Sequence, residues 1–123
     1  MDIEIAAKGT AWGGLLNAGQ VCTSIERVFV MESIADSFIE AVVEEAKKVR
    51  LGDPMNGQTD MGPLVSDYQL KKTLAKITNA KLEGARLLCG GKKPEAFEKG
   101  YFFEPTVFDR VNSNMEMMNL ETF

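Results

Sequence analysis

The chain has 123 residues with 45% hydrophobic and 26% charged side chains, a one-domain length and a balance that support a packed core and exclude a disordered polymer. Its net charge of −4 leaves no cation excess to displace counterions from phosphates, so no nucleic-acid partner is expected. No run approaches about 18 apolar residues, so no membrane span is expected either.

Residues 2–16, DIEIAAKGTAWGGLL, read as a helix with Ile3, Ala6, Ala7 and Leu15 available for packing. Gly9, Gly13 and Gly14 weaken it by about 1 kcal/mol each relative to alanine, so a helix that keeps them is expected to meet a neighbouring backbone closely. The run IERVFVM (25–31) mixes alternating and continuous apolar character and reads as a mostly buried strand. Ser33 is the expected N-cap of a helix in which Ile34, Phe38, Val42, Ala46 and Val49 share a face. Residues 51–64 are a Gly-, Pro-, Asn- and Asp-rich loop. A second amphipathic helix is expected over 66–82 on Leu70, Leu74 and Ile77, with Gly84 just past its end. ARLLCGG (85–91) and EPTVFDRV (104–111) read as short strands. Helices alternating with short apolar strands predict an α/β fold, three-layer-like, with a mostly parallel sheet flanked by helices.

Two cysteines without a CxxC pair, and no histidine, exclude thioredoxin-type exchange, a Cys–His or Ser–His dyad and a His-ligated zinc within the chain. A reducing, cytoplasmic setting follows from so few cysteines. The start MDIEIAAKGT lacks the basic n-region of a secretory signal. No metal is expected, because Met55, Met61, Met115, Met117 and Met118 offer only thioethers. Cys89 reads as packing. Cys22 has two readings. It follows a Gly19 turn and precedes a segment whose free N–H groups would stabilise a thiolate, or it is a small apolar residue beside a strand.

The stretch NAGQVC resembles the catalytic-cysteine signature of the NAD(P)-dependent aldehyde dehydrogenase superfamily, Asn-x-Gly-Gln-x-Cys, with Asn17, Gly19, Gln20 and Cys22 in place. Arg27 stands at that family's following arginine. In the same order come GDP (52–54), Thr59, GPL (62–64), the pair at 90–91, GYF (100–102), EPTVF (104–108) and the ETF of 121–123. The last resembles the opening of Glu-x-Phe-Gly-Pro, so residues 1–123 are expected to be part of such a catalytic domain.

The resemblance implies that Cys22 attacks an aldehyde, that the product is a carboxylic acid formed through a thioester, and that the Cys22 N–H serves as one oxyanion donor. It implies that Glu121 contacts the nicotinamide ribose of NAD or NADP and that Phe123 lies beside the ring. Asn17, Gly19 and Gln20 would shape the cysteine loop, and Val21 and Thr23 would line a compact substrate pocket. CTSIER (22–27) resembles branches acting on small hydroxyaldehydes or betaine aldehyde.

Departures from the pattern set the expected limits. Neither a GxGxxG nor a GxxxxGK[ST] phosphate loop is present. The dinucleotide-binding domain, the Glu-Leu-Gly-Gly-Lys segment with its general base, and the asparagine oxyanion donor are expected outside this chain. Leu120 stands where an acid is common. The chain alone is therefore expected to be inactive, needing a missing N-terminal part or a homo-oligomer as partner. The alternatives are a non-catalytic partner-binding remnant and a cofactor-independent thiol acting as redox sensor or esterase.

Overall fold

Helices supply most of the regular structure in the computed structural model, which describes residues 2–123. Asp2 caps the first helix, α1 (Ile3–Leu15), its Oδ1 accepting the Ile5 N–H at 3.1 Å. The expected close approach occurs at one end of α1 only. A Cβ on Gly14 would lie 2.9 Å from the Ile25 carbonyl oxygen, whereas Gly9 faces open space.

The second helix, α2 (Ala35–Lys48), buries Phe38, Val42 and Ala46, the face expected from its periodicity. Ser33 is not its cap. A 3-10 turn, Glu32–Ile34, precedes α2, and Ile34 holds the N-cap position with no side-chain hydrogen bond. The tighter turn takes up leading backbone groups itself, as in the Ile34 N–H to Met31 carbonyl bond of 3.1 Å. In α3 (Asp67–Leu82), by contrast, the Ser66 hydroxyl accepts from Gln69 N–H at 3.2 Å. That helix ends as its Gly84 foretells. Gly84 N–H donates to Lys81 O and Ala85 N–H to Ala80 O, the paired bonds of a Schellman close.

The sheet departs from expectation. β1 (Arg86–Cys89) and β2 (Val107–Asp109) form a two-stranded antiparallel pair with Arg86 opposite Asp109, Leu87 opposite Phe108 and Cys89 opposite Val107. No mostly parallel sheet forms among the described residues. The run 25–31 pairs with no strand and is far from buried: Phe29 is 85% and Met31 71% exposed. A strand needs a neighbouring edge within hydrogen-bonding reach, and 25–31 makes no backbone bond to the outer edge of β1 or β2. The run is tied instead to α1, through Ile25 N–H to Gly13 O at 3.1 Å and through the Ser24 hydroxyl.

The core is divided. Ala7, Phe38 and Val42 join α1 to α2, Leu64, Leu70 and Phe103 seat α3 on the chain before and after it, and Ala80, Ala85 and Met115 hold the far end. Cys89 is half-buried, its thiol donating to Pro105 O at 3.6 Å, and burial raises its pKa. A short helix, α4 (Glu116–Asn119), closes the chain.

Arg50 locks the 51–64 loop. Its Nε and Nη2 each reach an Asp60 carboxylate oxygen at 2.8 Å, and its own N–H donates to Asp60 at 2.9 Å. These bonds hold the Asp60 carboxyl well below the usual carboxylate range. A lowered folded-state pKa contributes stability above the unfolded value, about 3.9, that is lost as pH falls through the folded value. Carboxyl-carbon NMR is expected to show Asp60 still ionised below the usual carboxylate range, and Arg50→Ala, which keeps the backbone N–H, to raise its titration toward that range. An ordinary Asp60 titration with Arg50 intact would refute the loop lock.

Candidate active site

The backbone between α1 and the run 25–31 must reverse within a few residues. It does so through consecutive left-handed conformations at Asn17 (φ 52°), Ala18 (φ 58°) and Gly19 (φ 77°). Glycine adopts this region freely and asparagine with modest strain, while Ala18 carries a real cost that its surroundings must offset. The offset is visible in the side chains. Asn17 Nδ2 donates to Gln20 O at 3.2 Å, and Gln20 Nε2 donates back to Asn17 O at 2.9 Å. Gln20 Oε1 also accepts the Val65 N–H at 2.9 Å, fastening the reversal to the loop ahead of α3.

Cys22 sits just beyond this clasp, exposed. The turn bonds Val21 N–H to Gly19 O and Ser24 N–H to Val21 O, each at 2.9 Å, pass over it. The Cys22 N–H finds no acceptor among the described residues.

Cys22 lines a cleft of about 600 Å³ built from both ends of the chain, Cys22, Ser24 and Arg27 together with Asn119, Leu120 and Glu121. Cys22 and Glu121, expected to act together, thus share one space. The remaining expected residues are arranged differently. Asn17, Gly19 and Gln20 build the turn. Val21 is half-buried and Thr23 exposed, and neither lines the cleft. Phe123 lies off the cleft as well, its carbonyl accepting a hydrogen bond from the Gln69 amide of α3, which also reaches Thr122 O at 3.4 Å.

Sequence reasoning passed over several of these groups. Asn119 and Ser24 are ordinary polar residues in sequence, and only the cleft brings them beside the thiol. Gln69, the buried polar residue of α3, is hidden in a helical pattern that treats it as a surface position. No cluster of three potential metal-ligating side chains occurs among the described residues.

Comparison with known proteins places this geometry. The model of the aldehyde dehydrogenase family matches residues 1–123. A betaine aldehyde dehydrogenase of Brucella anthropi is 44% identical over 99% of the chain, which spans 26% of that relative. The crystal structure of a betaine aldehyde dehydrogenase from Staphylococcus aureus in complex with NAD+ superimposes with a TM-score of 0.95 at 36% identity, over 98% of this chain and 24% of that one. An aldehyde dehydrogenase from Pseudomonas syringae, complexed with NAD+ and octanal, gives a TM-score of 0.94 at 28% identity, over 98% and 25% of the two chains. The chain therefore spans about a quarter of the length of the relatives it matches.

Proposed function

Because the chain belongs to the aldehyde dehydrogenase family, we propose that it forms the cysteine-bearing part of an enzyme that oxidises an aldehyde to a carboxylic acid. One observation carries this reading: an exposed thiol with an unpaired backbone N–H shares a cleft with the carboxylate of Glu121.

Cys22 Sγ, as thiolate, attacks the carbonyl carbon and forms a thiohemiacetal. Charge gathers on the former carbonyl oxygen, where the Cys22 N–H donates a hydrogen bond that strengthens as the charge develops. A nicotinamide cofactor, NAD or NADP, supplies the acceptor for the hydride that leaves this carbon. Glu121 is the group here that would receive the ribose hydroxyls, and the ring of Phe123 would lie beside the nicotinamide. The cleft suits that end of the cofactor, being open and carrying an acceptor opposite the thiol. The phosphates need a cradle that no glycine-rich loop of this chain provides. Hydrolysis of the resulting Cys22 thioester needs a base, and no histidine is present to act as one. We assign the base, the second oxyanion donor and the phosphate site to the rest of a longer cytoplasmic enzyme or its homo-oligomer.

In that enzyme the run 25–31 pairs into a mostly parallel sheet, which would cover Phe29 and Met31. The substrate is a small aldehyde in this reading. Its support is the CTSIER stretch and the betaine aldehyde dehydrogenases among the relatives, with Val21 and Thr23 flanking the nucleophile. A second reading, a non-catalytic module that binds a partner, is favoured by the apolar side chains left outside, Trp12 at 70% exposure and Phe29 at 85%.

Reconstitution separates the two. The chain is co-expressed with the complementary portion of the Brucella anthropi relative, and aldehyde-dependent reduction of NAD is followed. Turnover is expected, and Cys22→Ala is expected to lower it at least about a thousandfold. Iodoacetamide should inactivate through Cys22 while Cys89, half-buried, reacts later. Turnover that survives Cys22→Ala, or no oxidation of any aldehyde by the reconstituted pair, would sink the catalytic reading and favour the second.

A further inference from the structure

Two segments far apart in sequence must hold still for Cys22 and Glu121 to face each other. The 22–31 run is anchored to α1 behind the cleft, through Ile25 N–H and Ser24 Oγ. The 116–123 stretch is anchored on α3, where the Glu83 carboxylate accepts the Glu116 N–H at 3.0 Å and Asn79 Nδ2 donates to Glu116 Oε2 at 3.0 Å. Neither anchor relates one wall of the cleft to the other.

One hydrogen bond among the described residues does so directly. Arg27 Nη1 donates to Met118 O at 2.7 Å across 91 positions of sequence. The acceptor is well suited to it, because a helix as short as α4 leaves its terminal carbonyls without internal partners. A guanidinium supplies a charge-assisted donor on a fixed plane, so the bond sets direction as well as distance. Both Arg27 and the residues immediately after Met118, Asn119 to Glu121, line the cleft with Cys22.

We propose that Arg27 is a positioning residue: by clasping the Met118 carbonyl it fixes the turn that carries Glu121 at its working separation from Cys22. This rests on the catalytic reading of the cleft, but the geometric claim is testable without cofactor, substrate or turnover. Arg27 touches no reacting atom in this role. Its effect passes through the backbone of α4.

The full chain carrying Cys89→Ser is labelled at Cys22 with a nitroxide, and paramagnetic broadening of the Leu120 and Glu121 amides is measured beside their hydrogen exchange. With Arg27 intact, both amides are expected to be strongly broadened. Arg27→Gln is expected to reduce the broadening by at least about half and to speed exchange at residues 119–121 about tenfold, the scale of one lost charge-assisted bond. Exchange in α1 and α2 should stay within about twofold, since Arg27 belongs to none of the three core clusters. Arg27→Lys, which keeps a cationic donor, should restore most of the broadening. Unchanged broadening in Arg27→Gln overturns the proposal, whether or not exchange rises. So does an equal rise of exchange across α1 and α2, which would mark general destabilisation. Turnover that survives Cys22→Ala in the reconstituted pair would instead overturn the catalytic reading and leave the clasp standing.

Discussion

Replacing Phe38 by alanine is expected to lower the unfolding free energy by about 3–5 kcal/mol. Phe38 is 7% exposed and is the largest side chain of the cluster that joins α1 to α2, where it meets Ala7 and Val42. Ile3, Ala6, Val30, Ala41 and Val107 pack around that cluster from four directions. Ala7 within it, and Ala6 and Ala41 around it, have no volume to spare, so the space vacated by the ring stays largely open. The consequence reaches the site. Val30 belongs to the run that begins at Cys22, and loosening its seat loosens the run. Urea denaturation checks the claim, through a lower midpoint at unchanged slope. A loss below about 1 kcal/mol would mean that the cluster collapses around the vacancy or was never a shared core.

Gly90→Ala is the second large effect, about 2–5 kcal/mol, from two costs that add. Gly90 has φ +69°, where an L-residue with a Cβ costs about 1–2 kcal/mol. The new Cβ would also overlap the Pro105 carbonyl oxygen and come within 2.8 Å of the Pro105 carbonyl carbon. That neighbour is backbone and cannot rotate away, so overpacking adds about 1–3 kcal/mol. The strands must part at that end, and the Cys89 thiol loses its Pro105 acceptor. Faster alkylation of Cys89 should therefore accompany the lower denaturation midpoint. Gly9→Ala is the matched control. Its Cβ meets nothing within 4 Å and its helical position favours alanine, so a small gain in stability is expected. Equal effects at the two sites would show that local backbone fit does not govern these glycines.

Legibility in the sequence followed the range of the interaction. The face of α2 could be read because residues four apart meet on one helix whatever surrounds it, and Phe38, Val42 and Ala46 are buried together. The start of α3 lies at the expected place, and there Ser66 serves as cap to the Gln69 N–H three residues on. Ser33 has the same side chain, but a 3-10 turn precedes the helix there and displaces it from the capping position. Apolar character at 25–31 reads as burial in a sheet, yet it says nothing of whether a partner edge lies within reach. Pairing depends on which edges come near, and among the described residues none is offered to it.

The site divides along the same line. Asn17, Gly19, Gln20 and Cys22 lie within six residues, and the turn they form is held chiefly by bonds among themselves. A short motif can therefore carry it, and its resemblance to the aldehyde dehydrogenase signature is borne out at the level of the family. Val21 and Thr23 enter the expected site only through adjacency to Cys22, and the cleft that Cys22 shares with Glu121 is lined by other residues.

By itself, then, the sequence determined the three long helices, the Schellman close at Gly84, the family and the reversal that presents Cys22, because each rests on groups within about a turn or two of one another. Only the tertiary structure decided that β1 and β2 pair antiparallel, that 25–31 stands unpaired, and that Arg27 meets Met118 across the cleft between Cys22 and Glu121. Those outcomes depend on which distant surfaces are brought together, and a backbone donor or a guanidinium carries no local mark of the acceptor it will find.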